Sequence, residues 1–149
     1  MPQIAEIVAV LACGLFSGAA VYVNLVEHPA RMECGVELAA TEFPPSYRRG
    51  AIMQATLAAV CLLSSIAAWL GGAKVWWLIA GILQGSVITF TLTVILPTNK
   101  QLLSPTLDKG SAQTERLLAR WAALHAVRSV LSTVAFLLFL YLAIFTKPM

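Results

Sequence analysis

Apolar residues run almost unbroken through four segments, residues 7–26, 51–73, 75–97 and 129–146, and polar residues gather between them. Each segment reaches or approaches the roughly 20 residues that a helix needs to cross about 30 Å of hydrocarbon. None alternates as a barrel strand does, and in lipid only helices or closed barrels satisfy every peptide group. The pattern therefore predicts an all-α integral membrane four-helix bundle. It is a single membrane domain over residues 1–149, with transmembrane helices at about 4–27, 50–72, 74–97 and 118–146. Composition agrees: 59% of residues are hydrophobic and 11% charged, with a mean hydropathy of +0.81. That is more apolar surface than a soluble domain of this size can bury. The residues ahead of the first run include Glu6 but no Lys or Arg, and the run exceeds a typical signal-peptide core. It reads as a retained helix.

The connections are unequal. Gly71-Gly72-Ala73-Lys74 predicts a tight turn, whereas residues 27–49 and 98–120 are long and carry most of the charge. Residues 31–42 read as a short amphipathic helix at the interface, stopped by Pro44-Pro45. The elaborated side holds Arg31, Arg48, Arg49, Lys100, Lys109, Arg116 and Arg120; the other side holds Lys74 and Lys147. By the positive-inside rule the elaborated side faces the cytoplasm and both termini face outward. Glu27, Glu33, Glu37 and Glu42 dilute the positive charge of that side, and a net charge of +3 points to no nucleic-acid partner. The expected partners are the lipid bilayer and a hydrophobic small molecule. Cys13, Cys34 and Cys61 lack metal-ligand spacing and predict no disulfide framework, with Cys34 the accessible thiol. The GxxxG spacings Gly14–Gly18 and Gly81–Gly85 suit close helix packing, either within the chain or in a homo-oligomer. Gln84, in mid-helix, needs a partner.

The remaining polar residues converge on the elaborated end. Asn24, His28 and Arg31 fall at i, i+4 and i+7 at the end of the first helix, and Trp121, His125 and Arg128 repeat that spacing in the last. Such residues share one side of a helix. The two histidines of the chain thus lie in matching His-x-x-Arg segments, which the topology brings to one end. Tyr47-Arg48 with Gln54, and Pro97-Thr98-Asn99, arrive there too. Two readings stand at this point: anchors at the headgroup level, with Arg128 snorkelling, or an inward functional cluster.

The ordered set Asn24-x-x-Glu27-His28-Pro29, Tyr47-Arg48, Leu96-Pro97-Thr98-Asn99 and Trp121-x-x-x-His125-x-x-Arg128 resembles the anthrone oxygenase-like family of small four-helix membrane proteins. The resemblance spans nearly the whole chain. It implies an oxygenase or oxidoreductase acting on a hydrophobic aromatic, anthrone- or quinone-like substrate. Oxidising an activated anthrone carbon starts with proton removal, so the site needs a base, donors for the enolate oxygen and an apolar pocket. His125 or His28 would be the base. Arg128, with Asn24 or Asn99, would hold the oxyanion, Trp121 would form a wall, and Arg48 and Glu27 would contact substrate. No cofactor is required in this scheme. In an alternative one, His28 and His125 ligate a haem or transition metal, completed by Glu27, an amide or water. A non-catalytic structural or lipid-binding subunit is the third expectation.

Overall fold

The computed structural model describes residues 2–145. Thr146 and Lys147, on which the end of the fourth helix and part of the charge count were placed, lie outside the described residues. Four long helices make the fold: α1 (Gln3–Glu33), α2 (Val36–Leu70), α3 (Val75–Leu102) and α4 (Ala112–Phe145). No strand occurs among the described residues. Each helix packs on its two sequence neighbours, with α4 closing back on α1, so the bundle is an up-down-up-down square. The turns are set by glycine. Gly35 and Gly72 both sit at φ 98°, a region closed to other L-residues at low cost, and they reverse the chain between α1 and α2 and between α2 and α3.

All four helices are long and apolar enough to cross a membrane, yet only 28–33% of each one's most apolar window is buried within the fold. Leu11, Leu63, Ile82 and Leu137 point outward and are more than half exposed. A surface of this kind needs lipid for solvent, and the chain is a multi-pass membrane protein.

The expected stop at Pro44-Pro45 does not occur. Instead of a separate interfacial helix over residues 31–42, α2 runs from Val36 through both prolines for 35 residues, roughly 52 Å at 1.5 Å per residue. Tertiary packing overrides the missing amide protons. Ala39, Ala40 and Phe43 are buried against Leu102, Leu117, Leu118 and Trp121, and Arg48 Nε donates to the Pro44 carbonyl at 3.4 Å. The elaborated end is therefore built of helix that overshoots the hydrocarbon, and α4 overshoots beside it.

Two wide π turns interrupt the ladder near this end, Val23–Glu27 in α1 and Thr91–Ile95 in α3. In the first, the His28 amide reaches back to Val23 O; in the second, Leu96 reaches back to Thr91 O. Each is followed by a proline, Pro29 or Pro97, at the second position of the resumed helix. Proline has no N–H to continue the regular pattern, so the backbone widens ahead of it.

The opposite half is plain packing. A Cβ at Gly14 would stand 2.8 Å from the Phe136 ring, one at Gly81 would overlap Ser65, and one at Gly85 would meet Leu62 at 3.0 Å. These three glycines of the GxxxG spacings are used inside one chain. Gly18 is different: nothing lies within 4 Å of where its Cβ would be. Gln84 is fully buried, with Cys13 Sγ 3.5 Å from its Oε1.

Candidate active site at the elaborated end

α1 and α4 are adjacent, and the wide turn of α1 presents Asn24 to the face of α4 carrying His125 and Ser129. Asn24 Nδ2 donates to the Ala122 carbonyl at 3.1 Å, which fixes the amide orientation. Its Oδ1 then lies 2.7 Å from His125 Nδ1 and 2.6 Å from the Ser129 hydroxyl. An amide oxygen only accepts, so His125 Nδ1 carries the proton and Nε2 keeps its lone pair. Among the described residues nothing hydrogen-bonds Nε2.

His125 is one wall of a cavity of about 200 Å³ lined by residues of all four helices. Most of the wall is apolar, with Phe16, Phe43, Val87 and Ile88 contributing. Aromatic rings continue from one helix to the next: Tyr47 stacks on Phe43 at 5.7 Å, Phe43 meets Trp121 edge-on at 5.2 Å, and Trp121 packs on His125 at 4.9 Å. The same indole contacts His28 at 5.6 Å. The planar faces suit a flat aromatic guest.

Arg128 also lines the cavity. Its Nη2 donates to Gln54 Oε1 at 2.6 Å, its guanidinium lies 5.6 Å from the centre of the Phe16 ring, and its buried Nε has no partner among the described residues. No carboxylate pairs with it among the described residues. A guanidinium inside a membrane bundle with only a neutral amide and a ring for company is costly unless an anion comes to it. Tyr47 presents a second donor. Its hydroxyl accepts from Asn99 Nδ2 at 3.2 Å, so its own proton is free for another acceptor.

The residues anticipated from sequence separate into three groups. His125, Arg128, Trp121 and Glu27 line the cavity. Asn24, Asn99 and His28 are packed behind it, the first two bonded to His125 and Tyr47 and the third against Trp121. Arg48 is exposed and bonded to its own helix, so it is not part of the cavity wall. Arg31, counted among the cations of this end and noted for its spacing, also lines the cavity and is 8% exposed. It is paired with Glu27, with Glu42 at 2.9 Å and with Ser46 at 3.2 Å. Phe43 and Ser46 were not anticipated, because a helix stop at Pro44-Pro45 assigned them to a connection. Ser129 was readable, four residues beyond His125 on the same face. Among the described residues no three His, Cys, Asp or Glu side chains group to hold a metal ion.

The family model for anthrone oxygenase matches residues 43–138. The chain belongs to the anthrone oxygenase family. It is similar to anthrone oxygenase tpcL of Aspergillus fumigatus, 31% identical over 145 residues that cover 87% of this chain and 90% of the relative. No solved structure matches the chain. The matched segment contains Phe43, Tyr47, Gln54, Trp121, His125 and Arg128, whereas Asn24, Glu27, His28 and Arg31 precede it. The geometry on α1 adds those four to the site.

Proposed function

We propose that the protein is a membrane-embedded oxygenase that converts the acidic methylene of an anthrone-like, flat aromatic ketone into a carbonyl. The observation that carries this reading is the pairing, in one apolar cavity, of an unprotonated imidazole nitrogen with a guanidinium that has no carboxylate partner. Family membership supports an aromatic substrate of this kind.

In this reading His125 Nε2 removes a proton from the substrate methylene, and the electron pair moves onto the ring ketone as an enolate. Asn24 holds the imidazole with Nδ1 protonated and is a positioning residue. Arg128, unpaired and pre-oriented by Gln54, meets the developing oxyanion, with the free Tyr47 proton as a second donor. The enolate carbon reacts with dioxygen, giving a carbon-bound hydroperoxide once a proton is returned. Loss of water from it leaves the carbonyl. One oxygen atom enters the product and the other leaves as water with the two methylene hydrogens, so atoms and electrons balance without a further reductant. The aromatic wall orients the rings, and the surrounding apolar side chains keep water from quenching the enolate.

The cation distribution supports a cytoplasmic location for this end and outward-facing termini. Protein in phospholipid vesicles, given anthrone and air, is expected to consume one dioxygen per anthraquinone formed. Turnover is expected to survive a strong chelator, without haem absorbance. Absence of turnover by wild-type protein at rates above a His125→Ala control would reject the reading.

A further inference from the structure

A second hollow lies beside the cavity. It is a groove of about 720 Å³ between α1 and α2, bordered on its outer part by Gly18, Tyr22, Pro45, Arg49 and Met53. Tyr22 and Met53 are 55% and 48% exposed, so the groove opens sideways from the bundle. Arg49 and Glu42 border its charged end.

The two hollows share Val23, Glu27, Ser46, Gly50 and Gln54. Between them stands a polar junction joining the helices: the Ser46 Oγ to Glu27 Oε1 bond at 2.8 Å, braced by Arg31, which reaches Ser46 at 3.2 Å and Glu42 at 2.9 Å. On either side of that junction the helix walls are thinned by glycine. A Cβ at Gly18, in the outer groove, or at Gly50, on the shared boundary, would meet nothing within 4 Å. The other packed glycines of the bundle fill such space with a neighbour; these two leave it open. The inner cavity, at about 200 Å³, is small beside the 300–1,000 Å³ of ordinary ligand sites. A fused-ring guest therefore reaches past the shared boundary.

We infer that the α1–α2 groove is the lateral passage by which a bilayer-dissolved aromatic substrate reaches the cavity, with the junction of Ser46, Glu27 and Arg31 as its threshold and Gly18 and Gly50 setting its width. The substrate class rests on the proposed function; the passage rests on geometry alone. A flat apolar molecule concentrates in the bilayer, so a sideways opening presents the site to the phase that holds it. The polar threshold offers hydrogen bonds to ring oxygens on the way in.

The test uses the full chain in phosphatidylcholine vesicles, in a Cys34→Ser background so that Cys13 and Cys61, both fully buried, are the remaining native thiols. Gly50→Cys places a thiol on the shared boundary, and its reaction with membrane-partitioning N-(1-pyrenyl)maleimide is timed. Adding Gly18→Trp, which fills the outer groove, is expected to slow that reaction at least tenfold, and Gly18→Leu to slow it by a smaller factor. This readout needs no substrate. An unchanged labelling rate with both fillings would overturn the passage whether or not the protein oxidises anthrone. With anthrone as substrate, Gly18→Trp is expected to lower kcat/KM at least tenfold and leave kcat within twofold. An equal fall in kcat would mean that the filling disturbs the reacting groups, and would also overturn it. Absence of wild-type turnover, with labelling still slowed by the fillings, would remove the proposed reaction and leave the passage standing.

Discussion

The two His-x-x-Arg segments share a spacing and an end of the bundle, yet their surroundings give them different work. In α1, Arg31 is held by Glu27, Glu42 and Ser46, and His28 packs on Trp121 behind the cavity. In α4, Arg128 has a glutamine where Arg31 has carboxylates, and His125 faces the cavity with one nitrogen tethered and the other free. The difference lies in the acids. A guanidinium already neutralised by its own chain joins α1 to α2, whereas one left with a neutral amide keeps its attraction for an incoming anion.

Removing each histidine and arginine in turn separates the two segments. His125→Ala is expected to lower anthrone turnover about 10²–10⁴-fold, the span of a lost general base. Arg128→Lys is expected to lower it about 10²–10³-fold, because an ammonium cannot reproduce the planar fork of donors. His28→Ala is expected to cost far less, since its ring supports Trp121 without lining the cavity. Initial rates of anthraquinone formation, with the helical circular dichroism of each variant as a folding check, decide this. Equal losses at His28 and His125 would erase the distinction.

A second change turns one segment into the other. Gln54→Glu supplies Arg128 with the carboxylate it lacks, at the position where Gln54 Oε1 now accepts from Nη2 at 2.6 Å. The expected outcome is higher thermal stability and turnover lowered about tenfold or more, because the new ion pair competes with the enolate for the guanidinium. Stability and activity moving in opposite directions is the signature. Unchanged turnover would mean that the charge of Arg128 is not what the substrate meets.

The reverse change concerns Arg31. Arg31→Met leaves Glu27 and Glu42 without their cation and is expected to destabilise the bundle by about 1–3 kcal/mol. That is less than the 3–5 kcal/mol typical of a wholly buried pair, since the Glu42 side chain is 44% exposed. Thermal unfolding in mild detergent measures it. At saturating anthrone, kcat is expected to fall only a few-fold.

The bundle itself was legible because hydrophobic run length is a direct consequence of bilayer thickness, and nothing in the chain competes with that signal. The shared depth of His28 and His125 was legible for the same reason: it follows from topology. What spacing could not provide was facing. Trp121, His125 and Arg128 at i, i+4 and i+7 share a side of α4 in either orientation, and only the Asn24 and Gln54 bonds show that the side is inward. Arg48 was misplaced because a tyrosine-arginine pair at a helix start looks alike whether Tyr47 or Arg48 points in, and only Tyr47 does. Phe43 and Ser46 were hidden by the two prolines, whose local preference for ending a helix is overridden by burial of Ala39, Ala40 and Phe43.

The last expectation concerns the backbone that makes α1 fit. The turn at Val23–Glu27 separates Asn24 from His28 and Arg31 by a wider arc than a regular helix gives, and Pro29 removes the amide proton that would restore the regular pattern. Pro29→Ala returns that proton. If α1 then tightens, residues on one side of the turn rotate against those on the other by up to about 100°, one residue's share of a 3.6-residue turn. Asn24 would swing away from His125 Nδ1, and the imidazole would lose the bond that fixes its tautomer. Packing of the neighbouring helices opposes this rotation, so the expected outcome is partial: kcat lowered about three- to tenfold at nearly unchanged KM, each tenfold being about 1.4 kcal/mol of barrier. Pro97→Ala tests the matching turn in α3, Thr91–Ile95. There the cavity is met by Thr91 and Leu92 rather than by a residue bonded to His125, so a smaller fall is expected. A larger fall for Pro97→Ala than for Pro29→Ala would show that the α1 turn does not position His125 through Asn24.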